Sequence, residues 1–277
     1  MKEEKKPVTV EIAGVTARIL CRFPENLRFF LPYQTEKAPV IHVEITPEDL
    51  AFSLSHLARY FGEPSVPYDD AFLENVSIQN VLSRQMLEFN VLAIHGSALC
   101  MDGEAIIFTA PSGTGKSTHA RFWREVFGDR VWMINDDKPM IRVEDGRALV
   151  CGTPWDGRHR LSRNASAPLR AIVKLERDTE NHIGPMNRAD AFQLLMTHGA
   201  CTKRGPMRLS GAAKLRAMAL ETALLDMADF YRLGCSMERD AARVAWEGIR
   251  KLHGISRQKA FSADHSGKKE EDRDGSA

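Results

Sequence analysis

The sequence predicts an α/β (α+β) fold in which a mixed or antiparallel sheet carries a glycine-rich loop, preceded by a smaller β-rich unit. The first observation is the loop at residues 110–117, which lies between an apolar strand pattern and an amphipathic helix pattern. The second is Asp102-Gly103, a two-residue turn signal that joins the strand before the loop to another strand in a tight hairpin. The third is the short apolar–polar alternation within residues 1–90, which is typical of strands.

The composition excludes several classes of protein. Of the 277 residues, 43% are hydrophobic and 27% are charged, which are the proportions of a globular protein and not of a disordered one. The 38 basic residues almost cancel the 37 acidic ones, so no overall field attracts nucleic acid or an anionic membrane. Five cysteines without a C-x-x-C pair indicate neither a disulfide framework nor a zinc site. With no signal peptide and no apolar stretch of membrane-spanning length, we expect a soluble, cytoplasmic protein.

We expect three parts along the chain. Residues 1–90 form the β-rich unit, which also holds a helix that begins after Thr46 with Pro47 in its first turn. Residues 91–255 form the domain that carries the loop. Residues 256–277 are rich in charge and lack an apolar period, and are expected to be a disordered tail.

The order of the elements favours a mixed sheet. Helices are expected from about residue 71 and over 117–127, 189–198, 211–228 and 238–253, and strands over 91–94, 98–101, 104–108, 131–134, 140–144, 147–150, 169–175 and 230–234. In an ordinary parallel sheet, the strand before such a loop is reached through a crossover helix. Here it follows directly from a hairpin, so at least one of its neighbours is antiparallel.

The loop has the sequence of a phosphate-binding motif. Residues 110–117, Ala-Pro-Ser-Gly-Thr-Gly-Lys-Ser, match G-x-x-x-x-G-K-[ST] except that Ala110 replaces the first glycine. The glycines let backbone N–H groups wrap around phosphate oxygens, the lysine places a charge between the β- and γ-phosphates, and the serine offers a hydroxyl to Mg²⁺. We therefore predict a nucleotide site at Ser112, Gly113, Thr114, Gly115, Lys116, Ser117 and Thr118, with Ser117 also a metal ligand.

Two carboxylates follow the next predicted strand, at Asp136 and Asp137. A strand that delivers a carboxylate beside a phosphate loop is a common way to hold Mg²⁺. Adjacent residues on a strand point to opposite faces, so the two side chains are expected to differ in role. One would serve the metal, and the other would accept a proton from an attacking hydroxyl.

Basic side chains lie near the predicted site in the sequence. His95, followed by Gly96, ends a predicted strand just before the hairpin that leads to the loop, and from its position alone a core or turn histidine is the expected reading. Arg158 and Arg163 lie on a predicted loop and are candidates to bind the acceptor or the γ-phosphate, because guanidinium groups match phosphate oxygens. A solvated basic loop is the alternative reading of these arginines.

At these residues the sequence resembles the catalytic domain of HPr kinase/phosphorylase, which in turn looks like ATP-type phosphoenolpyruvate carboxykinase. The likeness consists of His95-Gly96, the hairpin, the loop, and Asp136-Asp137, and it extends over residues 91–175. A closer likeness is to the small HPr-kinase-like proteins that modify peptides, including lasso-peptide kinases, through Gly152-Thr153-Pro154-Trp155, Arg163-Asn164 and Pro168-Leu169. The glycine-rich downstream signature of true HPr kinases is not found.

The resemblance implies a sheet of the HPr-kinase and carboxykinase type, and a reaction in which Mg-ATP donates its γ-phosphoryl group to a serine hydroxyl. Lys116 and Ser117 would serve ATP and the metal, Asp136 the metal, and Asp137 the base, while His95 would support the acceptor phosphate site. The acceptor would be a peptide or small protein, such as a lasso-peptide precursor. The sequence is compatible with a homo-oligomer.

Two other functions stay open from the sequence. One is a kinase that acts on the hydroxyl of a small metabolite, because no motif encodes the acceptor pocket. The other is a regulator that binds ATP without transferring phosphate, although a pure sensor has no need of a base such as the one proposed.

Overall fold

The computed structural model describes residues 5–62, 64–157, 159–199 and 209–267. Within this part of the chain, no helix has the length and apolar character needed to cross a bilayer. The described cysteines, Cys21, Cys100, Cys151 and Cys235, are free thiols.

The N-terminal unit combines a small sheet with three helices. Its strands are β1 (Lys6–Ile12), β2 (Val15–Cys21) and β3 (Ile41–Glu44), and its helices are α1 (Pro24–Phe30), α2 (Pro47–Phe61) and α3 (Asp70–Met86). β1 and β2 form an antiparallel hairpin, and β3 lies parallel to β2. The expected cap of α2 is present, since Thr46 and Asp49 form a reciprocal capping box with Pro47 in the first turn. The sequence patterns did not predict α1, which is only seven residues long and begins at a proline.

The remaining strands form one nine-stranded sheet. They are β4 (Val91–Ala93), β5 (Ser97–Met101), β6 (Glu104–Thr109), β7 (Val131–Asn135), β8 (Met140–Glu144), β9 (Arg147–Cys151), β10 (Ser166–Arg177), β11 (His182–Pro185) and β12 (Asp229–Cys235). The main order is β4-β8-β9-β10-β6-β5-β7, with β12 beside β10 and β11 beside β12. The helices are α4 (Lys116–Phe127), α5 (Arg188–His198), α6 (Gly211–Met227) and α7 (Asp240–Gly267).

The sheet is mixed, as the hairpin before the loop predicted. β6 pairs antiparallel with β5 through Asp102-Gly103 and parallel with β10 on its other side. β10 is longer than its apolar core suggested, because its first residues pair antiparallel with β9 before the strand runs on between β6 and β12. The molecule is therefore a mixed α/β structure around a curved sheet.

The predicted N-terminal unit shares a hydrophobic core with the larger sheet. Val10 and Ile19 of the small sheet belong to the same buried cluster as Val91, Met140 and Trp155. Two further clusters lie on the faces of the large sheet, one under α5 and α6 and the other under α4 and α7. The boundary near residue 90 therefore separates two sheets but not two independent cores.

The C-terminal helix extends past the expected start of the tail. α7 continues to Gly267, so residues 256–267 are helical where the sequence predicted disorder. The chain has no proline between Asp240 and Gly267 that would interrupt the helix. Residues 268–277, the rest of the predicted tail, lie outside the described residues.

Candidate functional site

Strand direction brings the candidate residues to one edge of the sheet. β5 is antiparallel to both β6 and β7, with Ser97 opposite Phe108 and Ala98 opposite Asn135. The start of β5 therefore meets the ends of β6 and β7. The predicted phosphate loop follows β6, Asp136 and Asp137 follow β7, and His95 precedes β5, so all of them lie at this edge.

The loop has the backbone conformation that its glycines predicted. Gly113 and Gly115 have φ angles of 78° and 116°, in the left-handed region that residues with a Cβ rarely adopt. Ala110 is fully buried, belongs to the core under α4 and α7, and is not among the residues with positive φ. Alanine is thus tolerated at the first motif position because the backbone there does not require glycine.

Lys116 lies at the start of α4 and folds back over the loop. Its Nζ donates to the carbonyl oxygens of Ala110 at 3.0 Å and Pro111 at 3.5 Å. Burial lowers the pKa of Lys116, whereas the nearby carboxylate of Asp137 acts in the opposite direction. On the outer side, Arg177 at the end of β10 donates to the carbonyl oxygens of Gly113 and Thr114, which braces the loop.

Asp136 is the buried carboxylate of the site, with 7% of its surface exposed. Its Oδ1 accepts a hydrogen bond of 2.6 Å from Ser97, and the hydroxyl of Ser117 is close enough to lower the pKa of this carboxyl group. Burial raises the pKa of Asp136 above its ordinary value, while the two serine hydroxyls partly oppose the rise. The carboxylate therefore lies near the last residue of the predicted phosphate loop motif.

Asn135 organises the turn that contains Asp136 and Asp137. The side-chain oxygen of Asn135 accepts the backbone N–H groups of Asp137 and Lys138, and its side-chain nitrogen donates to Thr153 and to the carbonyl oxygen of Trp155. Asn135 is fully buried, so water does not compete for its hydrogen bonds and they stabilise the turn. The turn holds the two carboxylates in different surroundings.

Asp137 contacts two basic side chains, His95 and Lys138. The Nζ of Lys138 lies 3.0 Å from Asp137 Oδ1 and 2.8 Å from His95 Nδ1, and His95 Nδ1 lies 3.2 Å from the same carboxylate oxygen. Burial alone would raise the pKa of Asp137, but His95 and Lys138 outweigh it and hold that pKa below its usual range. Asp137 is therefore ionised at neutral pH.

Nδ1 of His95 lies within hydrogen-bond distance of both a donor and an acceptor. The ammonium of Lys138 only donates and the carboxylate of Asp137 only accepts, so the role of Nδ1 depends on the tautomer of the ring. Burial lowers the pKa of His95, which favours the neutral ring. The next residue is Gly96, and only glycine fits there because a Cβ would lie 2.8 Å from the carbonyl oxygen of Phe108. His95 is thus held beside the carboxylate by the close packing of β6.

The two candidate arginines have different outcomes. Arg163 does not extend toward the loop, since its guanidinium lies over the ring of Trp132 at 5.4 Å. Its backbone N–H donates to Ile134, which fixes this segment along β7. Binding of the acceptor or the γ-phosphate by Arg163 stays a prediction, and in this structure its guanidinium makes a cation–π contact. Arg158 lies outside the described residues.

Three residues of the site were not predicted as such. Lys138 directly follows the Asp-Asp pair. A basic residue beside two carboxylates is a sequence signal that could have predicted an ion pair at the site. Ser97 directly follows His95-Gly96, and Asp156 lies in a Trp-Asp-Gly segment after β9. Asp156 accepts the backbone N–H groups of Asp136, Gly157 and Ser162, so it ties the 156–162 loop to Asp136.

The donor set at Asp136 fits Mg²⁺. This ion prefers oxygen ligands and is commonly held by one or two carboxylates together with substrate phosphates and waters. Asp136 and the hydroxyl of Ser117 supply one carboxylate and one neutral oxygen at the start of α4. The described residues contain no group of three or more ligating His, Cys, Asp or Glu side chains, so this is not an all-protein metal cage.

Enlarging Gly157 should weaken metal-dependent nucleotide binding. A Cβ at this position would lie 2.8 Å from Oδ2 of Asp136 and 3.0 Å from its carbonyl oxygen. We expect Gly157→Ala to displace the carboxylate and to lower Mg²⁺-dependent ATP affinity by about 10- to 100-fold, as substitutions beside a metal ligand commonly do. Titration calorimetry with ATP at several Mg²⁺ concentrations measures this effect. Gly184→Ala is the matched control, since nothing lies within 4 Å of a Cβ there, and an equal loss in the control would contradict the prediction.

Comparisons with known proteins identify no family for this chain. No family model matches it, and no curated protein matches it. Among solved structures, the chain is similar to the Hpr(Ser) kinase/phosphatase from Coxiella burnetii, with 10% sequence identity and a TM-score of 0.36 over 62% of this chain and 96% of that one. A likeness at this level carries no conclusion about function.

Proposed function

We propose that this chain is an ATP-dependent kinase that transfers the γ-phosphoryl group to a serine hydroxyl of a peptide or small protein. One observation carries the proposal: Asp137, which contacts His95 and Lys138 and whose pKa is held below its usual range, directly follows Asp136, a buried carboxylate near the serine of the predicted phosphate loop. A protein that only binds phosphate requires the loop but has no need of an ionised carboxylate such as Asp137 beside it. The sequence resemblance to lasso-peptide kinases supports a peptide acceptor.

Each residue has a distinct part in the proposed transfer. The N–H groups of the loop and the ammonium of Lys116 bind the phosphates and offset their charge. The acceptor hydroxyl attacks the γ-phosphorus, a new O–P bond forms, the bond to the β-phosphate oxygen breaks, and ADP leaves. Asp137 accepts the proton of the attacking hydroxyl. Lys138 and His95 orient this carboxylate and keep it ionised before the attack.

The magnesium ion would be held by Asp136 and Ser117. When bound, it neutralises charge on the phosphate oxygens. Ser97 and Asp156 keep Asp136 in place for this purpose, the first through the side chain and the second through the backbone.

The transfer can be tested directly with purified protein. The protein is incubated with ATP labelled at the γ-phosphate, Mg²⁺ and a peptide library with a central serine and random flanking residues. We expect label on serine and a gain of one phosphoryl group by mass spectrometry. Label on a metabolite hydroxyl but on no peptide would favour a small-molecule kinase, and tight ATP binding with neither transfer nor hydrolysis would favour an ATP sensor.

A further inference from the structure

We propose that the nucleoside of ATP binds on the side of the predicted phosphate loop that lies away from the two aspartates, with its base against the side chain of Met237. The proposal rests on the proposed kinase function and adds a contact for the base. We call Met237 and the two segments that hold it, residues 178–181 after β10 and 235–239 at the end of β12, the nucleoside subsite.

Strand direction places these segments beside the phosphate loop. β6, β10 and β12 run in the same direction, so the segments that follow them lie at the same edge of the sheet. β10 and β12 lie on one side of β6, whereas β7, with Asp136 and Asp137 after it, lies on the other side beyond β5. Ligands of such sheets bind outside the carboxyl ends of the strands. A nucleotide whose γ-phosphate faces the carboxylates therefore extends its nucleoside toward the ends of β10 and β12.

Both strand ends contact the phosphate loop directly. Arg177, the last residue of β10, donates to the carbonyl oxygen of Gly113 at 2.6 Å and lies opposite Cys235, the last residue of β12. Two residues further along the chain, the sulfur of Met237 lies 3.7 Å from the point that a Cβ at Gly115 would occupy. The thioether therefore lies against the backbone of the loop, on the side that the nucleoside is expected to take.

The segment around Met237 is fixed on both sides. Before it, the N–H and the hydroxyl of Ser236 donate to Oδ1 of Asn181 at 2.9 and 3.1 Å. After it, Arg239 pairs with Glu125 of α4 at 2.8 Å. Nevertheless, 61% of the Met237 surface is exposed. A single exposed apolar residue is ordinary, but this one is held at a fixed place beside the loop with most of its surface open to a ligand.

The chemistry of the subsite suits an aromatic ring with polar edges. A thioether makes favourable contacts with aromatic rings, and its flexible side chain adapts to their shape. The side-chain oxygen of Asn181 already accepts two hydrogen bonds from Ser236, so its amide group offers N–H donors, which match ring nitrogens or ribose oxygens. The acceptor hydroxyl has to reach Asp137 on the other side of β6. We therefore assign the subsite to the nucleoside and not to the acceptor.

A pair of ligands isolates the contact with the base, because ATP and inorganic tripolyphosphate share the phosphate chain and only ATP has a base. We expect Met237→Ala to lower ATP affinity by about 3- to 10-fold, the range for a sulfur–aromatic contact, and to leave tripolyphosphate affinity unchanged. Titration calorimetry of the full chain with each ligand and Mg²⁺ measures both. With a peptide selected from the serine-centred library, the KM for ATP should rise by a similar factor at unchanged kcat. Leu215→Ala truncates a similarly exposed side chain on α6 and should change neither affinity.

A second measurement follows the wild-type side chain itself. The methionine methyl groups are isotope-labelled, and the Met237 signal is assigned by its loss in Met237→Leu. On addition of ATP this signal should shift upfield because of the ring current of the base. Tripolyphosphate should produce no such shift.

The outcomes separate the subsite from the proposed function. If the wild-type protein transfers phosphate from ATP but Met237→Ala affects both ligands equally or neither of them, the nucleoside lies elsewhere and the kinase remains. If the Met237 effect is specific to ATP but no acceptor is phosphorylated, the subsite is supported and the kinase fails. If the wild-type protein binds neither ligand, the loop is not a nucleotide site and both proposals fail.

Discussion

Replacing Asp137 with asparagine should lower kcat for phosphoryl transfer by about 10²- to 10⁴-fold, which is the range for loss of a general base. The amide has nearly the same shape, so ATP should still bind with little change in affinity. The substitution removes the negative charge that lies between His95 and Lys138 and leaves the attacking hydroxyl without a proton acceptor. Steady-state kinetics with the selected peptide, together with calorimetric titration of ATP, measures both quantities.

A second aspartate–histidine pair provides the control. Asp229 contacts Nδ1 of His253 at 2.5 Å and also accepts a hydrogen bond from Tyr231. It is the first residue of β12, which runs in the same direction as β10, and so lies at the opposite end of the sheet from the phosphate loop. Asp229→Asn should leave transfer intact. Retention of full activity by Asp137→Asn would remove the proposed base and with it the main support for a kinase.

Replacing Lys116 with alanine should weaken ATP binding and reduce kcat/KM by about 10³-fold, because a preorganised charge beside the transferred group is lost. The ammonium also satisfies the buried carbonyl oxygen of Ala110, so part of the loss should come from a less ordered loop. ATP affinity from calorimetry and the thermal midpoint of unfolding distinguish the two contributions.

Two further variants sharpen this result. Lys116→Arg keeps the charge but replaces a compact ammonium with a planar fork, so it should recover only part of the activity. Lys5→Ala removes a lysine that pairs with Glu44 on the N-terminal sheet and should have no effect. An Lys116→Ala protein that binds ATP as the wild type does would show that the loop is not the nucleotide site.

Local signals in the sequence were sufficient for the loop and its surroundings. The positive φ at Gly113 and Gly115 follows from the motif itself, and Asp102-Gly103 specified both a tight turn and an antiparallel neighbour for β6. These features depend on residues that are close in the chain, where backbone conformation is decided by the residue types. The short helix α1 was missed because seven residues contain too little periodicity to distinguish a helix from a turn.

Side-chain direction was harder to predict than position. Arg163 was a candidate to bind the acceptor or the γ-phosphate, and its guanidinium lies over Trp132 on β7, 31 positions earlier in the chain. Lys138 was not considered, although it contacts both predicted partners, because its direction depends on the turn that Asn135 holds through Thr153 and Trp155. Such contacts between distant segments have no local pattern.

By itself, the sequence determined a neutral globular chain, a glycine-rich loop with a predicted phosphate-binding motif between a strand and a helix, and a pair of aspartates after the next strand. The tertiary structure alone decided that Asp136 accepts a hydrogen bond from Ser97, that Asp137 lies between His95 and Lys138, and that α1 packs against the segment after β9. The physical reason is the range of the interactions. Turn and helix preferences act between neighbours in the chain, whereas burial, ion pairing and close packing depend on which strands the sheet places side by side.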